Sequence, residues 1–162
     1  MTEKPPLHGI KVLDLTRVLA GPYCTMMLGD LGAEVVKIEQ PLLGDETRGW
    51  GPPFLPGCKD SAYYFALNRN KKSVTLDLKK EEGSKILKQL IERSDIIVEN
   101  FRVGTLESLG FGYSNVAQIN SRIIYCSLSG FGSTGPYSDR GGYDVIVQGM
   151  CGIMSITGEP DG

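Results

Sequence analysis

A chain of 162 residues with 41% apolar and 22% charged content is long enough for one domain with a real core, and ordinary for a globular protein. A formal net charge of −2 without a helix-sized basic patch speaks against a nucleic-acid partner, and no run of about 18 apolar residues is present to span a membrane. Cys24, Cys58, Cys126 and Cys151 form no CxxC pair and His8 is the only histidine, so no metal site and no Ser-His-Asp or Cys-His chemistry is expected. Residues 1–6 (MTEKPP) carry neither an apolar signal core nor an Arg-rich amphipathic stretch. The expected location is the cytoplasm, or a mitochondrion if a targeting segment has been removed.

The first expected element is a short strand over 11–14. Gly21-Pro22 then opens a helix, with proline in the first turn where its missing N–H costs nothing. Met26, Met27, Leu28 and Leu31 give that helix a broad apolar face, and Gly32 ends it. Residues 34–39 alternate like a strand, so the first forty residues read as a βαβ unit with parallel strands. The stretch 41–57, extending to about 62, is rich in Gly and Pro and predicts a surface excursion carrying Trp50 and Phe54.

A third strand is expected over 73–77. Residues 81–92 form an amphipathic helix with Ile86, Leu87, Leu90 and Ile91 turned inward. A strand over 96–98, short helices over 105–109 and 114–119, and a buried strand over 123–126 follow. Then come 16 residues, 127–142, with five glycines and a proline, before a helix over 143–150. A structured loop of that length is disproportionately a lid or a binding segment. Strands alternating with helices predict an α/β fold, a Rossmann-like parallel sheet flanked by helices.

In open parallel sheets ligands bind beyond the carboxyl ends of the strands. Segments 14–22, 77–80, 99–102 and the glycine-rich loop all follow strands and are expected to converge there. No GxGxxG follows the first strand, which lowers a dehydrogenase reading. Arg69, Lys71, Lys72, Lys79 and Lys80 bracket the third strand and could hold phosphates, or could form a solvated charged surface. Asn100 and Phe101 offer an amide and a flat apolar face, both of which an adenine ring needs, although Phe101 equally reads as core. Asp14 reads as a strand-end acid capping a turn.

Taken together, segments 12–22 (VLDLTRVLAGP), 32–39 (GAEVVKIE), 68–73 (NRNKKS), 98–101 (VENF) and 129–136 (SGFGSTGP) resemble the class III CoA-transferases, the family of formyl-CoA and carnitine CoA-transferases. The similarity runs from Leu7 to Gly162 and is closest to the branch acting on dicarboxylates, succinyl-CoA:glutarate CoA-transferases among them. The resemblance implies an incomplete CoA-binding, Rossmann-like large domain over 1–162, the N-terminal part of a homodimer whose chains interlock as rings. It implies coenzyme A or acyl-CoA as substrate, a carboxylic acid as acceptor, and no metal.

CoA contacts would fall on Leu19, Ala20, Leu76, Lys79, Asn100, Phe101, Arg102 and the segment before Tyr143, with Lys79 and Arg102 at phosphates. Gln40 and Ser108 stand where some members carry arginines. Family catalysis uses an aspartate nucleophile that forms a covalent acyl and then CoA intermediate. That aspartate would follow the turn 157–162 (TGEPDG), after Gly162, so no catalytic residue falls within the sequence. Two alternatives stand beside the transferase. One is an α-methylacyl-CoA racemase, weakened because Tyr143-Asp144 replaces the His-Asp of those enzymes and Tyr is a poor base. The other is a non-catalytic CoA- or nucleotide-binding module.

Overall fold

A computed structural model of the chain describes residues 4–160. Five parallel strands form one sheet: β1 (Lys11–Asp14), β2 (Glu34–Glu39), β3 (Lys71–Thr75), β4 (Ile96–Glu99) and β5 (Ile124–Ser127), in the order β3-β2-β1-β4-β5. Six α-helices accompany them among the described residues: α1 (Ala20–Asp30), α2 (Ala62–Asn68), α3 (Glu81–Glu92), α4 (Thr105–Ser108), α5 (Tyr113–Ile119) and α6 (Asp144–Met150). The expected α/β, Rossmann-like class is what the sheet shows. No helix of the described residues is long and apolar enough to cross a membrane.

Alternation along the strands splits the core in two, because successive side chains leave opposite faces of a sheet. Leu13 and Ile97 join Leu87 and Ile91 of α3, Leu106 of α4 and Val116 of α5 in one cluster. Val12, Val35 and Val98 pack with Ala33 and the half-buried Leu28 of α1 in the other. Gly83 lets the first turn of α3 press on the backbone of Asp77, whose carbonyl a Cβ would strike.

Several expectations need correction. β3 starts at Lys71 and ends at Thr75, two residues early, because it extends to pair with Val35 and Val36 of β2. β5 is an edge strand, not a buried one, and Ile124 is 62% exposed. Ile86 of α3 and Met27 and Leu31 at α1 face solvent rather than the core. Apolar periodicity marks a wider stripe than one sheet face can cover.

The excursion after β2 is only partly a surface feature. Leu42 and Leu43 are exposed, but Asp45, Thr47 and Ser61 are fully buried. A 3-10 turn over Glu46–Gly49 starts with Asp45 capping the Thr47 amide, and Ser61 caps α2, a helix the Gly/Pro content concealed.

The chain divides into two compact units, the first ending at Leu128 and the second beginning at Ser129. Within the second, Gly130 and Gly142 meet backbone to backbone, so that a Cβ on either would fall on the other's Cα. Phe131 and Tyr137 meet edge to face at 5.8 Å, and Arg140 lies over the Tyr137 ring at 4.1 Å. The glycine-rich stretch is therefore a loop closed at its base with its own small aromatic cluster.

Candidate functional site

Strand order reverses between β1 and β4, the switch point at whose carboxyl edge open parallel sheets place their ligand crevice. The chain after β1 runs through Leu15 and Thr16, both buried, then surfaces at Arg17, Val18, Leu19 and Ala20. The chain after β4 supplies Asn100, Phe101 and Arg102. Two contacts join these loops across the crevice. Asn100 Oδ1 accepts the Arg17 N–H at 2.9 Å, and Asn100 Nδ2 donates to the Arg17 carbonyl at 2.7 Å. The Arg17 guanidinium then lies 5.2 Å from the Phe101 ring centroid, within cation–π range.

The residues expected at this edge separate by role. Leu19 is 49% exposed and Ala20 opens α1, so both present accessible surface beside the crevice. Arg102 and Lys79 are exposed, and among the described residues neither makes an ion pair. Phe101 is half-buried and packs against the core while carrying Arg17 on its ring. Leu76 is a core residue in the cluster with Leu13 and Leu15 and its N–H donates to the Glu39 carbonyl, which leaves its backbone carbonyl, not its side chain, for any ligand. Tyr143 lies in the second unit, exposed, immediately before α6.

The cation cluster around β3 is not one group. Arg69 pairs with Asp30 and Lys72 with Glu34 at the surface. Lys71 is buried, 3.0 Å from Asp14 Oδ2, and also donates to Pro22 O and Asn68 Oδ1. Burial favours its neutral form and lowers its pKa, opposed by the Asp14 carboxylate. Among the described residues, only Lys79 and Lys80 of these five make no side-chain ion pair. Asp14 has the capping role expected of it: Oδ1 accepts the Thr16 amide at 2.9 Å, and Oδ2 accepts Thr25 Oγ1 at 2.6 Å.

Beneath the crevice lies a buried ionic network that the sequence reading missed. Lys37 of β2 is 1% exposed, sits 3.0 Å from Asp45 Oδ2, and donates to the Thr16 carbonyl at 2.7 Å. Asp45 Oδ1 accepts the Thr47 amide and hydroxyl and reaches the Val18 N–H at 3.4 Å. Burial acts against ionising Asp45, but the Lys37 charge and the Thr47 bonds outweigh it and lower its pKa.

Two residues beyond Lys37 in β2, burial likewise opposes ionising Glu39. Bonds from Arg48, Ser73, the Asp45 amide and Tyr64 outweigh it and hold its carboxyl at about 2. The Tyr64 hydroxyl, desolvated and beside the Glu39 charge, is pushed up. The visible signal was Lys37 and Glu39 on either side of Ile38, in a strand that also carries Val35 and Val36. A parallel strand covered on both faces tolerates charges only in pairs.

With this geometry in view, comparison with known proteins is specific. The model for CoA-transferase family III matches residues 7–162. A succinate–glutarate CoA-transferase of Agrobacterium fabrum is 52% identical over 98% of this chain and 41% of its own length. The human succinyl-CoA:glutarate CoA-transferase is 51% identical over all of this chain and 36% of its own. An acetyl-CoA:oxalate CoA-transferase of Acetobacter aceti is 48% identical over 98% of the chain and 40% of its own. A crystal structure of a CAIB/BAIF family protein from Brucella suis superposes with a TM-score of 0.94 at 49% identity, over 99% of this chain and 43% of that one. The chain thus spans about two fifths of the relatives it matches. It belongs to CoA-transferase family III.

Proposed function

We propose that the protein carrying this chain moves CoA between an acyl-CoA and a carboxylic acid, and that this chain supplies the CoA-binding part. What supports the proposal is the strand-order reversal between β1 and β4, with the accessible Leu19 and Ala20 after one strand and, after the other, the exposed Arg102, which makes no ion pair among the described residues. The adenosine end of CoA rests by Phe101 and Asn100, and Arg102 and Lys79 meet phosphates through charge-assisted hydrogen bonds.

Transfer proceeds through an aspartate carboxylate placed after Gly162. The carboxylate attacks the thioester carbonyl, giving a mixed anhydride and releasing CoA thiolate. The thiolate attacks the aspartyl carbonyl, freeing the first acid and leaving an aspartyl-CoA thioester. The second acid and then the thiolate repeat these steps in reverse, so no two acids share the site. The glutarate and oxalate relatives support a dicarboxylate as the acid. A homodimer is part of the proposal.

Calorimetric titration of the protein, as encoded by its gene, with CoA tests the seat. Saturable binding is expected, and a folded protein without binding overturns the proposal. Incubation with succinyl-CoA and a panel of dicarboxylates, read by chromatography of the CoA esters, tests the reaction. A new CoA ester is expected, and failure with every dicarboxylate overturns the substrate class.

A further inference from the structure

Five consecutive backbone polar groups after β1 are met by side chains rather than by other backbone. Asp14 takes the Thr16 N–H, Lys37 the Thr16 carbonyl, Asn100 both polar groups of Arg17, and Asp45 the Val18 N–H. The segment they hold is not one the chain would choose. Val18 has φ of 69°, the left-handed region, which a β-branched residue rarely enters. Such a conformation persists where its surroundings over-determine it.

Two of these holds come from one buried ion pair. Lys37 and Asp45 are 1% and 0% exposed at their side chains, and they reach the loop on either side of Arg17. A fully buried pair gives little net stability over apolar side chains of the same volume, so stability alone does not explain it. We infer that Lys37 and Asp45 are positioning residues, which set the backbone of Thr16, Arg17 and Val18 into the shape that receives CoA. This rests on the proposal that CoA lies over the loop after β1. Lys37 grips the carbonyl from below and Asp45 the amide two residues on, so Arg17 is presented with its guanidinium over Phe101. Neither Lys37 nor Asp45 reaches the ligand.

The test is the double variant Lys37→Met/Asp45→Leu in the protein as encoded by its gene. Met keeps the aliphatic stem, Leu fills the Asp45 space without an oxygen for the Val18 N–H, and no charge is left buried without a partner. The expected variant melts several degrees lower, because the Thr47 amide loses its cap, and loses hydrogen-exchange protection at the Val18 amide. Its CoA dissociation constant rises about tenfold, as when only about a tenth of the molecules hold a competent loop. A folded variant with unchanged protection and affinity overturns the inference.

Lys37→Met/Asp45→Asn serves if that double variant does not fold. Asn keeps Oδ1 for the Thr47 and Val18 N–H groups, so only the Lys37 grip on the Thr16 carbonyl is lost, and CoA binding is expected to be several-fold weaker with melting within a few degrees of the wild type. Unchanged affinity there overturns the inference as well. If the wild type does not bind CoA, the proposed function fails. Amide protection then still decides whether the pair orders the loop.

Discussion

Asn100 closes a two-way hydrogen bond with the backbone of Arg17, at 2.9 Å from the Arg17 N–H and 2.7 Å to its carbonyl. Because Phe101, the next residue, carries the Arg17 guanidinium at 5.2 Å, one dipeptide after β4 controls both ends of one residue after β1. Asn100 thereby spends one amide hydrogen and one lone pair on Arg17, and its other hydrogen and lone pair have no partner among the described residues.

Asn100→Ala is therefore expected to weaken CoA binding by about tenfold, the loss of one or two hydrogen bonds, with a small change in melting temperature. Asp14→Asn should act the other way round. It strips the buried Lys71 ammonium of its ionic partner, which costs about 3 kcal/mol of stability, while the folded fraction binds CoA nearly as before. Calorimetry and thermal unfolding on both variants check this. If Asp14→Asn proves the worse binder, Asn100 does not belong to the CoA seat.

Stability should fall in acid because of Glu39. Its carboxyl is held down from 4.5 to about 2 in the folded protein, a difference of roughly 3 kcal/mol at neutral pH. A depressed carboxylate pKa stabilises fully above the unfolded value. That contribution declines from about pH 4.5 and is gone near pH 2. Asp45 is shifted in the same direction and adds to it. Chemical denaturation between pH 7 and pH 2 should show the decline, and Glu39→Gln should flatten it. A Gln variant with the full acid slope would place the titrating group elsewhere.

Gly142→Ala should open the base of the glycine-rich loop, because the added methyl meets the Cα of Gly130 and backbone cannot yield as a flexible side chain does. The expected readout is faster proteolysis and hydrogen exchange over residues 129–143, with unit 1 unchanged. Protection equal to the wild type would mean that this contact does not hold the loop closed.

The sheet was legible because its strands are short apolar runs, separated by amphipathic stretches and turn residues, and α3 could be bounded from its pattern alone. α2 was not, since Ala62–Asn68 follows a Gly/Pro-rich segment and announces itself only through the Ser61 cap. At the site, the loops beyond β1, β3 and β4 could be named from topology. The pairing of Lys71 with Asp14 and of Lys37 with Asp45 could not, because it joins residues 57 and 8 positions apart through three-dimensional packing. Charged residues near a strand read as a phosphate site until the partners that neutralise them are seen.

The two borders of the sheet are unlike. β3 carries Lys71, Lys72 and Ser73, whereas β5 carries the exposed Ile124 beside Tyr125 and Cys126. An uncharged border with unpaired amides and carbonyls invites another strand, and a lysine-bearing one resists it. A further strand, from the same chain or another, would thus add to this sheet at β5 rather than at β3.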